Sequence, residues 1–145
     1  GNIQEVIIQN FRAKTTTRMK KAPEPSTVDM LRTLAVGRLL LGSGMNIQAP
    51  PNLNLDGAGA YLLAGINDWG GVSPLTKDFI NPEAAWPEVE RLRALTADAG
   101  YDLHERTALY PEYVRSGWGI APAVASRISE ITDVAGYVRQ ELEQW

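Results

Sequence analysis

The chain has 145 residues, 44% of them apolar, which suits one domain with its own core or part of a larger domain. Its 14 basic and 17 acidic residues are dispersed and give a net charge of −3, so nothing favours nucleic acid or an anionic membrane and we expect a small-molecule partner. The sequence has no cysteine, which excludes disulfides, thiolate nucleophiles and iron–sulfur ligation by this chain itself.

The first part of the chain alternates between strand-like and helix-like segments. Residues 3–11 are rich in β-formers and lead into a polar loop and two prolines, which predicts a strand followed by a long loop. Ser26 and Asp29 have the spacing of a capping box, and apolar residues recur at helical spacing until Gly42. This pattern predicts a helix over about 27–41.

A second strand and a third extended segment follow. Apolar residues alternate from Met45 up to Pro50-Pro51, and because proline cannot donate to a sheet ladder, the strand should end there. Asp56 is expected to cap a short helix that ends at Gly65, and residues 66–72 are expected to be extended. The order β-α-β-α-β predicts an α/β fold with a parallel sheet and right-handed crossovers.

The rest of the chain is predicted to be mainly helical. Pro82 and Pro87 flank the start of a helix that should bury one apolar face and end at Gly100. Residues 101–109 alternate with period two, which is typical of a partly exposed strand or an extended arm. From Pro122 onward we predict a helical tail with one apolar stripe, formed by Ile128, Ile131, Val134, Val138, Leu142 and Trp145.

Polar residues follow the end of each predicted strand. Ligands of parallel α/β folds bind beyond the carboxyl ends of the strands, so these residues should converge on one site. They are Gln9, Asn10 and Arg12 after the first strand, Gln48 and Asn52 around the two prolines, and Asp68 and Trp69 with the following glycines in the third segment.

Each group has a binding and a structural interpretation, and both stay open. Amide and guanidinium groups suit carbonyls, hydroxyls or a carboxylate, but after the first strand they could equally cap the loop. Pro50-Pro51 forms a stiff platform, or else an ordinary turn. Gly70-Gly71 lets backbone approach a ligand, while Trp69 could be a core residue before a glycine turn.

Other chemistries find no support in the sequence. With one histidine and no cysteine, a His/Cys metal triad cannot be built, and His104 is expected to be solvated on an extended arm. Gly70-Gly71 fits neither phosphate-binding glycine pattern. Ser73, Ser116 and Ser126 lack the G-x-S-x-G context of a hydrolase nucleophile.

Four segments carry a resemblance to a known family. They are Gln4-Glu5-Val6-Ile7-Ile8-Gln9-Asn10-Phe11-Arg12-Ala13-Lys14, Ile47-Gln48-Ala49-Pro50-Pro51-Asn52-Leu53, Asp68-Trp69-Gly70-Gly71-Val72-Ser73-Pro74-Leu75-Thr76 and Tyr110-Pro111-Glu112-Tyr113-Val114. Over nearly all of residues 3–114 the chain resembles the deazaflavin-forming FO synthases, which are radical S-adenosylmethionine enzymes. The resemblance is to the half that closes the deazaflavin ring, not to the partner half.

The resemblance implies a fold and a domain organisation. The family domain is a TIM-like (β/α)6 partial barrel of parallel strands alternating with helices, and its amino-terminal part holds a 4Fe–4S cluster on a CxxxCxxC loop. This chain would be the carboxyl-terminal part of that barrel. Residues 1–114 would then be barrel, and residues 115–145 a helical tail packed on the same domain.

The resemblance also implies cofactors, a substrate and site residues. S-adenosylmethionine and the 4Fe–4S cluster would serve the intact enzyme, a carbon–nitrogen lyase, with the cluster ligands outside this chain. The intact enzyme would cleave S-adenosylmethionine to a radical, abstract hydrogen from a hydroxybenzyl-ribityliminouracil and close its ring with loss of ammonia. The residues implied to face cofactor or substrate are Gln9, Asn10, Arg12, Gln48, Asn52, Asp68, Trp69 and Ser73.

Two hypotheses about the chain follow. Because it begins Gly1-Asn2 and soon enters a strand, we expect a fragment of an FO synthase, inactive by itself. It would pair with the missing amino-terminal half of the barrel, with a partner synthase half that is fused or separate, or with itself through exposed edge strands. The alternative is a cysteine-free small-molecule-binding module without catalysis. No apolar stretch approaches the roughly 20 residues of a membrane span and no signal segment opens the chain, so we expect a cytoplasmic protein.

Overall fold

A computed structural model of the chain describes residues 3–73 and 75–142. The chain forms two compact units, Gly1–Tyr101 and Asp102–Trp145. A compact unit defined by contacts is not the same as an evolutionary domain, so the domains 1–114 and 115–145 stay a prediction. The α/β class is confirmed: a small parallel sheet and helices build the first unit.

The sheet consists of two parallel strands, β1 (Glu5–Ile7) and β2 (Asn46–Gln48), with Val6 opposite Ile47. The third extended segment is reduced to a parallel bridge between Gln48 and Asp68. The predicted strand over residues 3–11 is therefore too long. The physical reason is that β1 loses its partner where β2 reaches Pro50-Pro51.

Helix α1 (Thr27–Leu41) has the predicted bounds and is capped as predicted. The backbone N–H of Asp29 donates to Ser26 Oγ at 3.2 Å, and the Asp29 carboxylate accepts from the Ser26 N–H at 3.0 Å. Leu34 of α1 and Ile47 of β2 are both fully buried, so this helix covers one face of the sheet.

Helix α2 (Gly59–Leu63) is short and confirms the predicted element, but not its cap. Asp56 lies instead in a 3-10 turn, Leu55–Gly57, and the helix starts after Ala58 with no side-chain cap. Two successive 3-10 turns, Pro51–Leu53 and Leu55–Gly57, lead the chain into the helix through backbone bonds, which leaves the Asp56 carboxylate exposed.

Helix α3 (Val89–Asp98) confirms the predicted helix, although it starts beyond Pro87 and not between Pro82 and Pro87. Val89 and Leu92 are buried on its inner face, and Gly100 follows it with a φ of 85°. That positive φ lies in the left-handed region that terminates helices, which is why a glycine stands there.

In the unit Asp102–Trp145, the described residues 102–142 form two helices, α4 (Pro111–Ser116) and α5 (Pro122–Ile131), and a 3-10 turn, Gln140–Leu142. Residues 102–107 form neither helix nor strand, so of the two predicted conformations for 101–109 the partly exposed strand is wrong there, and the extended arm stays a prediction. The prediction of a helical tail is right for α5 and wrong for residues 132–139, because the Asp133 carboxylate accepts from the N–H groups of Ala135 and Tyr137 and closes a turn. Val134 is consequently 98% exposed, and Trp145 lies outside the described residues.

Within the described part of the chain, none of the helices combines the length and the apolar character needed to cross a bilayer.

Candidate functional site

The carboxyl ends of the three parallel segments form one row. Ile7 pairs with Gln48, and Gln48 in turn bridges to Asp68. The Ala49 N–H donates to the Asp68 carbonyl at 3.2 Å, which fixes the third segment in parallel register. Two of the predicted site residues, Gln48 and Asp68, lie on this row. The others come within five positions after Ile7, Gln48 or Asp68 in the sequence.

Gln48 and Gly70 make the closest packing on the row. Gly70 has a φ of 83°, and a Cβ placed on it would overlap the Gln48 side-chain amide. The Asp68 carboxylate accepts from the Gly70 N–H at 2.5 Å and holds the turn. A glycine is required here both for the backbone conformation and for the approach of Gln48.

Asn52 is buried and bound by a loop that follows it in the chain. Its Nδ2 donates to Asp78 Oδ2 at 3.0 Å and to the Ala84 carbonyl at 3.2 Å. Asn81, which is 4% exposed, donates from its own Nδ2 to the same Asp78 oxygen at 3.0 Å. Residues 78–84 therefore wrap around the end of the second strand.

Asp78 is the centre of this loop. Its Oδ1 accepts from the backbone N–H groups of Ile80 and Asn81 at 2.8 and 3.0 Å. Desolvation alone would raise the pKa of Asp78, but the hydrogen bonds from Asn81, Asn52 and Ile80 outweigh it and lower the pKa to about 2. The carboxylate is thus held in its charged form. Sequence analysis missed this residue, because only the folded loop brings its donors together.

Asn10 contacts the core beneath the row. The Tyr61 hydroxyl donates to Asn10 Oδ1 at 3.4 Å, and Tyr61 itself is fully buried. Burial raises the pKa of Tyr61, although hydrogen bonds with Asn54 and Asn10 oppose this. The phenol therefore stays protonated and acts as a donor at neutral pH.

Arg12 and Lys14, which follow the first strand, are both engaged in ion pairs. Arg12 Nη1 lies 3.0 Å from Glu24 Oε2, and Glu24 also accepts from the Ala13 N–H at 2.9 Å. Lys14 pairs with Glu83, and this hydrogen bond lowers the pKa of Glu83. This geometry matches the loop-capping interpretation of the segment, and a ligand role for Arg12 stays a prediction.

Three further predicted site residues lie in different environments. Trp69 is 6% exposed, and its Nε1 donates to Thr96 Oγ1 of α3 at 3.0 Å, as the core interpretation expects. Ser73 Oγ accepts from the Thr76 N–H at 3.1 Å and so stabilises a turn. Gln9 is exposed after β1. Their ligand roles also stay predictions.

A second polar network, at the amino ends of the same segments, was missed by sequence analysis. Asn67 Oδ1 accepts from the Ile47 N–H at 2.8 Å and from Arg38 Nη2 at 3.1 Å, while Asn67 Nδ2 donates to Asn46 Oδ1 at 2.7 Å. Arg38 also donates to the carbonyls of Gly42, Met45 and Gly65. The arginine at the end of a helix was the only signal of this in the sequence.

The unit Asp102–Trp145 has an open cavity of about 790 Å³. Two arginines line it, but Arg115 donates to the Ala135 carbonyl at 2.6 Å and Arg139 to the Thr132 carbonyl at 2.9 Å. His104 faces the Tyr137 ring at 5.0 Å between centroids. The lining guanidinium groups thus hold the backbone in place.

The residues of this chain do not fit an iron–sulfur cluster. The sequence has no cysteine, and residues 3–73 and 75–142 contain no group of three or more His, Cys, Asp or Glu side chains arranged to hold a metal ion. The polar groups at the carboxyl ends fit an organic ligand better, since amide, hydroxyl and carboxylate groups recognise such ligands through directional hydrogen bonds.

Parallel strands joined by helices define an α/β protein. Its relatives are more specific. The chain is 51% identical over 139 residues to the 7,8-didemethyl-8-hydroxy-5-deazariboflavin synthase of Methanopyrus kandleri, and this match covers 96% of the chain and 41% of the relative. It is 51% identical over 138 residues to the FO synthase of Mycobacterium tuberculosis, covering 93% of the chain and 16% of the relative.

A third relative, the 7,8-didemethyl-8-hydroxy-5-deazariboflavin synthase of Methanococcus aeolicus, is 51% identical over 118 residues, with 81% of the chain and 33% of the relative covered. The chain is homologous to part of the FO synthases, which are proteins of deazariboflavin biosynthesis, and the predicted resemblance is confirmed. It spans less than half the length of these curated relatives. No family model matches the chain, and no solved structure matches it.

Proposed function

We propose that the chain is the carboxyl-terminal part of the (β/α)6 partial barrel of a radical S-adenosylmethionine deazariboflavin synthase, a carbon–nitrogen lyase. The observation that carries the proposal is the identity of 51% over 96% of the chain, together with the parallel row that joins Ile7, Gln48 and Asp68. A barrel enzyme builds its site from loops at that end of its strands. The substrate of the whole enzyme would be a hydroxybenzyl-ribityliminouracil.

In this proposal the cluster and S-adenosylmethionine supply the radical chemistry, and the cluster is held by residues outside this chain. The residues of this chain bind, orient and exclude water. Amide side chains at Asn10, Gln48 and Asn52 suit that role, because they recognise ligands without adding an acid or a base. By itself the chain would be catalytically inactive. The whole enzyme would be a cytoplasmic protein.

Apolar side chains on α1 supply a surface for the missing part of the barrel. Leu39 and Leu40 are 82% and 81% exposed, and Ile7 of β1 is 52% exposed. Leu39 and Leu40 are neighbours on α1, and adjacent exposed apolar side chains favour an interaction surface. We assign it to the preceding β/α unit of the longer protein, so the chain alone should self-associate through it and be a monomer once Leu39 and Leu40 are replaced by Lys.

The test of the site uses the chain itself. S-adenosylmethionine and the deazaflavin FO are titrated separately into the ¹⁵N-labelled chain, and amide shifts are followed by NMR, which detects weak binding. We expect shifts in residues 9–12, 48–52, 68–73 and 78–84. Shifts confined to the amino-end network around Arg38 and Asn67, or none with either ligand, would contradict the proposal.

The alternative, a binding module without catalysis, predicts the same shifts but a different second result. For that comparison the chain replaces the matching 139-residue stretch of the Methanopyrus kandleri synthase. Our proposal expects the hybrid, loaded with its cluster, to form fluorescent deazaflavin. A folded, cluster-loaded hybrid without turnover, beside an active unmodified relative, would favour the module.

A further inference from the structure

The Asn52 side chain uses only one half of its amide within the described residues. Nδ2 makes two hydrogen bonds, to Asp78 and to the Ala84 carbonyl, whereas Oδ1 is buried and accepts none. The residue is 7% exposed. A buried carbonyl oxygen without a donor is costly, so such a group is retained where a ligand or a water completes it.

The orientation of this amide is fixed by its neighbours. If the amide were flipped, Oδ1 would face the Asp78 carboxylate and the Ala84 carbonyl, and both of these groups are acceptors. Asp78 cannot turn away either, because Ile80 and Asn81 donate to it as well. Donation from Nδ2 to a carboxylate also polarises the amide and makes Oδ1 a better acceptor.

We propose that Asn52 Oδ1 accepts a hydrogen bond from an N–H or O–H group of the bound ligand, and that Asp78 is a positioning residue that holds Asn52 in the accepting orientation. The inference rests on the proposed function. It adds which atom contacts the ligand, Asn52 Oδ1, that this atom is an acceptor, and that Asp78 of the following loop sets its orientation. Two sources of such a donor are compatible with the proposal, S-adenosylmethionine and the deazaflavin, and separate titrations distinguish them.

The experiment compares the wild-type chain with three variants, using S-adenosylmethionine and FO as separate probes. Asn52→Leu removes the acceptor at similar size. Asp78→Asn replaces the carboxylate by an amide that can donate to Asn52 Oδ1 and so capture it. Glu83→Gln is the matched control, because it neutralises another acid of the same loop that pairs with Lys14 and has no hydrogen bond to Asn52.

We expect Asn52→Leu and Asp78→Asn each to weaken binding of one probe by about tenfold, the effect of one lost hydrogen bond, and Glu83→Gln by less than about twofold. The side-chain ¹³Cγ resonance of Asn52 should move downfield on addition of the same probe to the wild-type chain. The double variant Asn52→Leu/Asp78→Asn should bind no more weakly than either single variant, because the two residues act through one contact. Thermal unfolding of every variant shows whether the fold is retained.

Other outcomes would overturn the inference. Equal binding by the wild type and Asn52→Leu would mean that Oδ1 meets only water. Equal weakening by Glu83→Gln and Asp78→Asn would mean that loop order matters and the amide orientation does not. Failure of the wild-type chain to bind either probe would overturn the proposed function and this inference together, whereas the first two results overturn the inference alone.

Discussion

At the amino ends of the parallel segments, Asn67 uses both halves of its amide within the chain: Oδ1 accepts from Ile47 and Arg38, and Nδ2 donates to Asn46. After the carboxyl end of β2, Asn52 lies in the 3-10 turn Pro51–Leu53, and its buried Oδ1 accepts nothing from the described residues. The difference teaches how to separate structural from functional polar residues. An amide satisfied on both sides stabilises the fold, and an amide satisfied on one side leaves an acceptor that a ligand or a water can complete.

The largest expected effect on stability is in the Arg38 network at the amino ends of the parallel segments. Arg38→Met removes donors to three backbone carbonyls and to Asn67, and we expect the free energy of unfolding to fall by about 3 kcal/mol. Arg32→Met on the same helix is the control, with a change within about 0.5 kcal/mol because Arg32 is exposed. Urea unfolding measures both. If the two variants were equally stable, the Arg38 network would not be structural.

The next largest effect on stability is at Gly70, at the carboxyl ends of the parallel segments. Gly70→Ala forces a Cβ into the Gln48 amide at a φ of 83°, and we expect a loss of about 2–3 kcal/mol. Gly71→Ala is the matched control, since a Cβ there meets nothing within 4 Å and its φ is not positive. The same unfolding experiment applies. A Gly71→Ala variant as unstable as Gly70→Ala would show that the turn, not the approach of Gln48, requires glycine.

A smaller effect on stability is expected at the N-terminal cap of α1. Ser26→Ala removes the side-chain cap of the helix and should lower the unfolding midpoint by about 3–5 °C. Ser43→Ala, in the exposed loop after the helix, should leave the midpoint unchanged to within about 1 °C. Calorimetry measures the unfolding midpoint of both variants. Equal midpoints would show that the capping box does not stabilise α1.

The smallest expected effect is the response of the Asp78 loop to low pH. The pKa of Asp78 is lowered to about 2 from its ordinary value of 3.8, so its contribution to stability is fully present above the higher value and is lost as the pH falls through the lower one. The side-chain N–H resonances of Asn52 and Asn81 should therefore change in a transition that starts at about pH 3 and is centred near pH 2. The matching Asp78→Asn variant should show no such change. A transition in the wild type centred at or above pH 4 would contradict the lowered pKa.

Sequence reasoning was most successful where local chemistry decides the structure. The capping box at Ser26 and Asp29, the prolines at 50–51 and Gly100 each fixed a boundary that the structure confirms. It was wrong for the Asp56 cap and for residues 132–139 after α5, because an acid before a helix and apolar residues at helical spacing both fit more than one conformation. A 3-10 turn takes the place of the cap at Asp56, and a turn closed by the Asp133 carboxylate follows α5.

The sequence by itself determined the α/β alternation, the relatives and the segments whose polar residues could meet, since these depend on local pattern and on identity. Only the tertiary structure decided which amides are satisfied. Asp78 follows Asn52 by 26 positions, and Asn67 follows Asn46 by 21. Hydrogen bonds at such separations depend on how the chain returns on itself, and no local pattern of residues encodes that return.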